Sequence, residues 1–174
     1  MAVLRKLLRN TLGIAAVEFA MVLPVLMLMY LGSYQLSQAI AAKRKVTITA
    51  RVLTDLTTQS TSLTANDADT ILTASQQVMA PYPSANGTFR ISEIKVNANG
   101  SGTVQWSRSL RGTARTTYTI IPLPTGVGST GTYVIMGEVS YRYVPAIVNN
   151  IVGSVNMSDT IYMAPRKSQD IPLT

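Results

Sequence analysis

The chain has 174 residues, 47% apolar and 13% charged, with a formal charge of +7 and neither Cys nor His. That length supports one domain, or one domain and a membrane element, and its charge is well below the roughly 25% of an ordinary soluble domain. The missing residue types exclude disulfide frameworks, zinc sites with N/S ligands, and catalysis that relies on Cys or His.

Residues 1–13 form a short leader carrying Arg5, Lys6 and Arg9, and after Arg9 the only charged residue before Lys43 is Glu18. From Ile14 to about Ile40 apolar residues dominate, long enough to span a bilayer, which needs roughly 20 such residues. We therefore assign 14–42 to a transmembrane helix. Pro24 and Gly32 lie inside it; membrane helices tolerate both, although Pro24 is expected to kink the helix or loosen its ladder. Lys43, Arg44 and Lys45 mark the water boundary, where long basic side chains reach headgroups. Three cations on each side leave the orientation undecided by charge bias.

The helical pattern continues past this boundary. Val46, Thr49, Val52, Leu53 and Leu56 recur at three- and four-residue intervals with Ala50 beside them, predicting one apolar stripe along a stalk over 43–65. A helix from Ile14 to about Thr58 is roughly 65 Å long, so its second half must pack on a domain. The Thr-rich stretch around 57–64 is a poor helix former and ends it.

The remainder, 66–174, is Thr/Ser/Gly-rich. Asn66 is the expected cap of a second helix, with Asp67 and Asp69 in its first turn. Ile71, Leu72, Ser75, Val78 and Met79 make its buried face, and Pro81-Tyr82-Pro83 stops it. Strands are predicted at Thr88–Val96 and Thr103–Leu110 around an Asn97–Gly100 turn. The alternation slips between Ile91 and Ile94, which suggests a bulge. Residues 111–131 read as mostly loop, Tyr133–Tyr143 as a strong strand and Met157–Met163 as the last, with 149–155 left unassigned. Two helices followed by strands give an α+β domain on a helical stalk.

Most motifs in this domain have plain explanations. Gly126–Gly131 matches G-x-G-x-x-G, but prolines precede it and a strand follows, the reverse of a dinucleotide site; it reads as a flexible loop. Asp67 and Asp69 lack the glycine and third ligand of a calcium loop. Glu93, Glu138 and Asp159 have no spacing that fixes an acid/base pair, and Ser129 is in no nucleophile elbow. Arg108, Arg111 and Arg115, near Trp106 and Tyr118, sketch a basic and aromatic group, better read as solvated charges on a strand and its loop. No enzyme, cofactor, metal, nucleic-acid or small-molecule substrate role is expected.

Glu18 needs a reason, because a charge at the centre of a membrane helix costs roughly 2.5–3.5 kcal/mol on insertion scales. The run Gly13-Ile-Ala-Ala-Val-Glu-Phe-Ala-Met-Val-Leu-Pro24 after a basic leader resembles the prepilin processing site, specifically that of TadE-like minor pilins (pseudopilins) of tight-adherence (Tad) type IVb pili. Weaker echoes are Gly137–Pro145 and Met163-Ala-Pro-Arg166. The resemblance implies cleavage by a prepilin peptidase between Gly13 and Ile14, and pairing of Glu18 with the Ile14 amine of an adjacent subunit. It also implies an inner-membrane, single-pass chain with its C-terminal domain outside the cytoplasm. Its partners are then other pilin and minor-pilin subunits and the assembly platform, in pilus assembly, initiation or adhesion. Ile14 stands where other prepilins place Phe or Met. The alternative is an extracytoplasmic binding protein with an ordinary signal peptide, for which Ser37-Gln38-Ala39 and Ala39-Ile40-Ala41 offer small-residue cleavage sites, or with an uncleaved anchor. Against the signal peptide, an h-region is about 7–15 residues long and carries no charge.

Overall fold

The computed structural model describes residues 12–145 and 153–174. Arg5, Lys6 and Arg9 lie outside the described residues, as does 149–152 of the unassigned stretch. Helix α1 (Leu12–Thr58) runs unbroken for 47 residues with Pro24 inside it. In its first half every residue from Gly13 to Tyr30 is exposed.

The second half packs on the domain, along a stripe rotated from the expected one. Val46, Thr49, Ala50 and Leu53 are buried as anticipated, but Val52 is only half-buried and Leu56 is exposed. Ala42, Thr54 and Thr57 take the remaining places. Threonine fits there because its hydroxyl can bond back to the preceding turn. Thr49 donates to the Lys45 carbonyl at 2.7 Å, Thr54 to that of Ala50 at 2.7 Å and Thr57 to that of Leu53 at 2.8 Å.

Helix α2 (Ala65–Ser75) is capped by Thr64 rather than Asn66. The Thr64 Oγ1 accepts the Asp67 N–H at 3.1 Å and the Asp67 carboxylate accepts the Thr64 N–H at 3.0 Å. Thr-x-x-Asp thus closes a reciprocal capping box, and the hydroxyl hydrogen bond holds the Asp67 carboxyl below its ordinary range. Ala68, Leu72 and Ser75 face inward, and a short 3-10 turn, Gln76–Met79, carries Met79 into the core; Ile71 and Val78 are half-buried.

Five antiparallel strands follow: β1 (Gly87–Val96), β2 (Ser101–Leu110), β3 (Ile120–Pro122), β4 (Tyr133–Tyr143) and β5 (Val155–Met163), in the order β3-β2-β1-β4-β5. The irregularity expected in β1 falls on β2. Glu93 pairs with Trp106 and Ile94 with Val104, so Gln105 is the extra residue. Ile91 and Ile94 lie on opposite faces, each in its own core. Phe89, Ile91, Trp106, Ile135 and Val139 pack under the helices. Ile94, Val96, Val104, Ile121, Val134 and Met136 form a smaller core on the other face.

The segment expected to be open loop supplies that second core's cover. It contains β3 and lays Leu123 and Val127 over the sheet. Gly126–Gly131 is therefore a strap across a sheet face. The outer edge of β5 is guarded by α1: Lys43 donates to the Ser158 carbonyl at 2.5 Å and Thr47 to Asp159, a way of blunting an edge against further pairing.

Gly137 sets how closely α1 can approach the sheet. A Cβ there would stand 2.0 Å from the Thr54 Oγ1 and 3.1 Å from the Ala50 carbonyl oxygen. Gly137→Ala is expected to cost about 2–3 kcal/mol through this overpacking, seen as a lower urea midpoint. Adding Thr54→Ala should recover part of the loss, and a Gly137→Ala midpoint equal to wild type would show the contact is not tight.

Candidate functional site

The exposed half of α1 carries the residues singled out near the N-terminus. Ile14 and Glu18 stand one turn apart on one helix face, both exposed. Among the described residues Glu18 has no ion-pair partner, although five other carboxylate–cation contacts form in the domain. A Cβ built at Gly13 meets nothing within 4 Å, so packing within the chain does not demand glycine there.

Two further features belong to the same helix. Its apolar segment is long enough to cross a membrane and no part of it is buried. Of the basic trio beyond it, Lys43 is engaged with β5 and lies 3.9 Å from Asp159, Arg44 is exposed and Lys45 is half-buried.

Residues 13–53 match the family model described as TadE-like protein. The match lies wholly within α1 and does not reach the domain. No curated protein and no solved structure matches the chain.

The match ends within α1, and the domain beyond it puts its charged residues to structural use. Arg108 pairs with Asp69, tying β2 to α2. Arg111 donates to the Gly87 carbonyl at 3.1 Å and to that of Ser84 at 2.8 Å. Arg115 grips Glu138 at 2.7 and 3.0 Å, and Arg90 reaches the same carboxylate at 3.3 Å. Trp106 is buried and offers no stacking platform. The three arginines adjacent in sequence thus go to three separate anchors. Glu93, Glu138 and Asp159 do not converge, and no group of three or more metal-ligating side chains occurs among the described residues.

The role of Glu93 was invisible in the sequence. It is 2% exposed and accepts the Ile171 N–H at 2.6 Å, while the Trp106 indole donates to the Ile171 carbonyl at 2.7 Å. These bonds strap the C-terminal tail across β1 and β2, with Leu63 and Leu173 forming a parallel bridge beside it. Burial, with the nearby Asp170 charge, raises the Glu93 carboxyl from 4.5 to about 7 against the opposing Ile171 hydrogen bond. The folded chain then keeps a proton that the unfolded chain loses above 4.5. Stability is expected to fall, on the order of 2 kcal/mol, as pH rises from about 4.5 to 7, and to level off above. Glu93→Gln keeps the acceptor and should flatten this slope in denaturation midpoints taken across that window. An unchanged slope would assign the pH dependence elsewhere.

Proposed function

We propose that the chain is a minor pilin or pseudopilin of a Tad (type IVb) pilus, processed after Gly13 by a prepilin peptidase and needed for pilus assembly, initiation or adhesion. The observation that carries this is the family match at 13–53, which falls on the exposed helix carrying Gly13, Ile14 and Glu18. The mechanism is physical. After cleavage the apolar helix stays in the bilayer, where lipid covers the surface that the domain leaves bare. In a filament, neighbouring helices must bury the same surface, and the carboxylate of Glu18 meets the new amine of Ile14 on an adjacent subunit. In a low-dielectric bundle that pair fixes axial register, because a buried charge without a partner is strongly disfavoured. Prepilin peptidase, other pilin subunits and the assembly platform are the partners, and the inner membrane the site of residence, with the domain outside the cytoplasm.

The ordinary signal-peptide alternative fits the fold poorly. A cut near Ala39 or Ala41 would remove Gln35 and Gln38, which Tyr143 and Tyr82 contact from the domain. It would also sever α1 in mid-course. Processing gives the test. Gly13→Leu should leave the leader attached, read as a heavier intact mass of the membrane-purified chain. The same mature mass for Gly13→Leu and wild type would refute the assignment.

A further inference from the structure

The domain grips α1 well before the basic trio at 43–45. Gln35 is buried, and the Tyr143 hydroxyl lies 3.5 Å from its side-chain oxygen. One turn on, Tyr82 donates to the Gln38 carbonyl at 3.1 Å. Tyr82 packs edge-on against Tyr141 and Tyr143, with ring centroids 6.4 and 6.3 Å apart. Burial, with a smaller contribution from Tyr34, pushes the Tyr82 and Tyr143 hydroxyls above their ordinary range. Tyrosines of the domain thus meet one side of the helix near residue 35.

The ends of β4 and β5 reach that level too. Asp159 meets Thr47 and Lys43, which places it beside helix residue 45 or so. Val155 lies four strand residues below, about 13 Å, or about nine helical residues at 1.5 Å each. That brings it level with residue 36, and its ladder partner is Tyr143. Val155 and Val144 are 41% and 43% exposed, and Tyr34 48%. Among the described residues the lower rim therefore presents Val144, Val155 and Tyr34, with Arg142 beside them.

Below the rim, Gly13 to Tyr30 is exposed throughout, about 27 Å at 1.5 Å per residue. The hydrocarbon core of a bilayer is about 30 Å thick. The bare length is used up in spanning it, with no spacer left between domain and lipid.

We propose that the rim formed by Tyr34, Val144 and Val155, with Tyr82 half-buried and Tyr143 buried behind it, is a lipid-docking surface seated in the headgroup zone of the bilayer. The domain then stands on the membrane in one orientation instead of swinging on a stalk. Tyrosine suits this zone because its ring is apolar and its hydroxyl polar. Arg142, exposed beside the rim and hydrogen-bonded to Ser154 at 3.0 Å, stands near lipid phosphates. Lys43 to Lys45 then lie about 12–15 Å above the rim on the helix.

This docking rests on the reading of α1 as a membrane anchor, and the test separates the two. The chain has no native Cys, so single Cys residues can carry an environment-sensitive fluorophore. Val144→Cys and Val155→Cys report the rim and Met27→Cys the mid-helix. Ala98→Cys, in the turn at the far end of β1, about 30 Å from the rim, reports bulk water. The full chain is reconstituted in vesicles of phosphatidylethanolamine and phosphatidylglycerol carrying spin-labelled lipids. The rim probes should be quenched by labels near the headgroups, several-fold more than the Ala98 probe, and Met27 by labels deep in the acyl chains. Rim probes that behave like Ala98 while Met27 is quenched would overturn the docking and leave the anchor standing. Met27 behaving like Ala98 would overturn both.

Discussion

Glu18→Ala is expected to leave processing and membrane insertion intact and to reduce incorporation into filaments at least tenfold. Removing a charge from an apolar helix makes residence in lipid easier, since insertion no longer carries a penalty of roughly 2.5–3.5 kcal/mol. The loss appears only when the helix leaves lipid for a bundle. There the Ile14 amine of a neighbouring subunit would be buried without its carboxylate, and breaking one side of a buried pair costs about 3–5 kcal/mol. The readout is the ratio of chain in sheared pili to chain in membranes. Wild-type incorporation of Glu18→Ala would mean that register is set by something other than this pair. Glu18→Gln separates charge from shape: it should fail like Ala, because an amide cannot neutralise an ammonium group.

The second large effect concerns the stalk. A chain beginning at Tyr34 loses the bare helix and keeps Gln35, Ala42, Val46, Ala50 and Leu53, all buried against the domain. It should fold cooperatively as a soluble protein. A chain beginning at Ser60 loses that whole face and uncovers Ile135, Val139, Tyr141 and Met157 on the sheet. An exposed apolar sheet face of that extent is an aggregation surface, so this chain should aggregate with no sharp unfolding transition. Trp106, packed against the tail at Ile171, reports the difference by fluorescence. A Ser60 chain as stable as the Tyr34 chain would show that the stalk is a spacer.

These expectations depend on which parts of the fold local sequence encodes. The long helix, the Asn97–Gly100 turn and the β4 strand were legible because period and turn chemistry are local. The α+β class followed from them. The stalk stripe was read one position off because hydropathy undervalues threonine, whereas in α1 the Thr54 and Thr57 hydroxyls bond back and can be buried. The cap lies two residues earlier for a related reason: Asn66 also stands three residues before a carboxylate, but Asp69 is held by Arg108 from β2, whereas Asp67 is free to answer Thr64. The tail strap joins Leu63 to Leu173 and Glu93 to Ile171, pairs so distant in the chain that no periodicity announces them. The arginines at 108, 111 and 115 look like one patch for the same reason, since their anchors lie on α2, the start of β1 and β4. Gly13 and Glu18 are candidates through the lone charge in an apolar run and through the prepilin resemblance of the stretch that holds them.

The most direct test of the central claim is the intact mass and N-terminal sequence of the protein purified from its native membrane. A pilin-type subunit begins at Ile14, with residues 1–13 gone. A chain that still begins at Met1, or one that begins near Ile40, would contradict it.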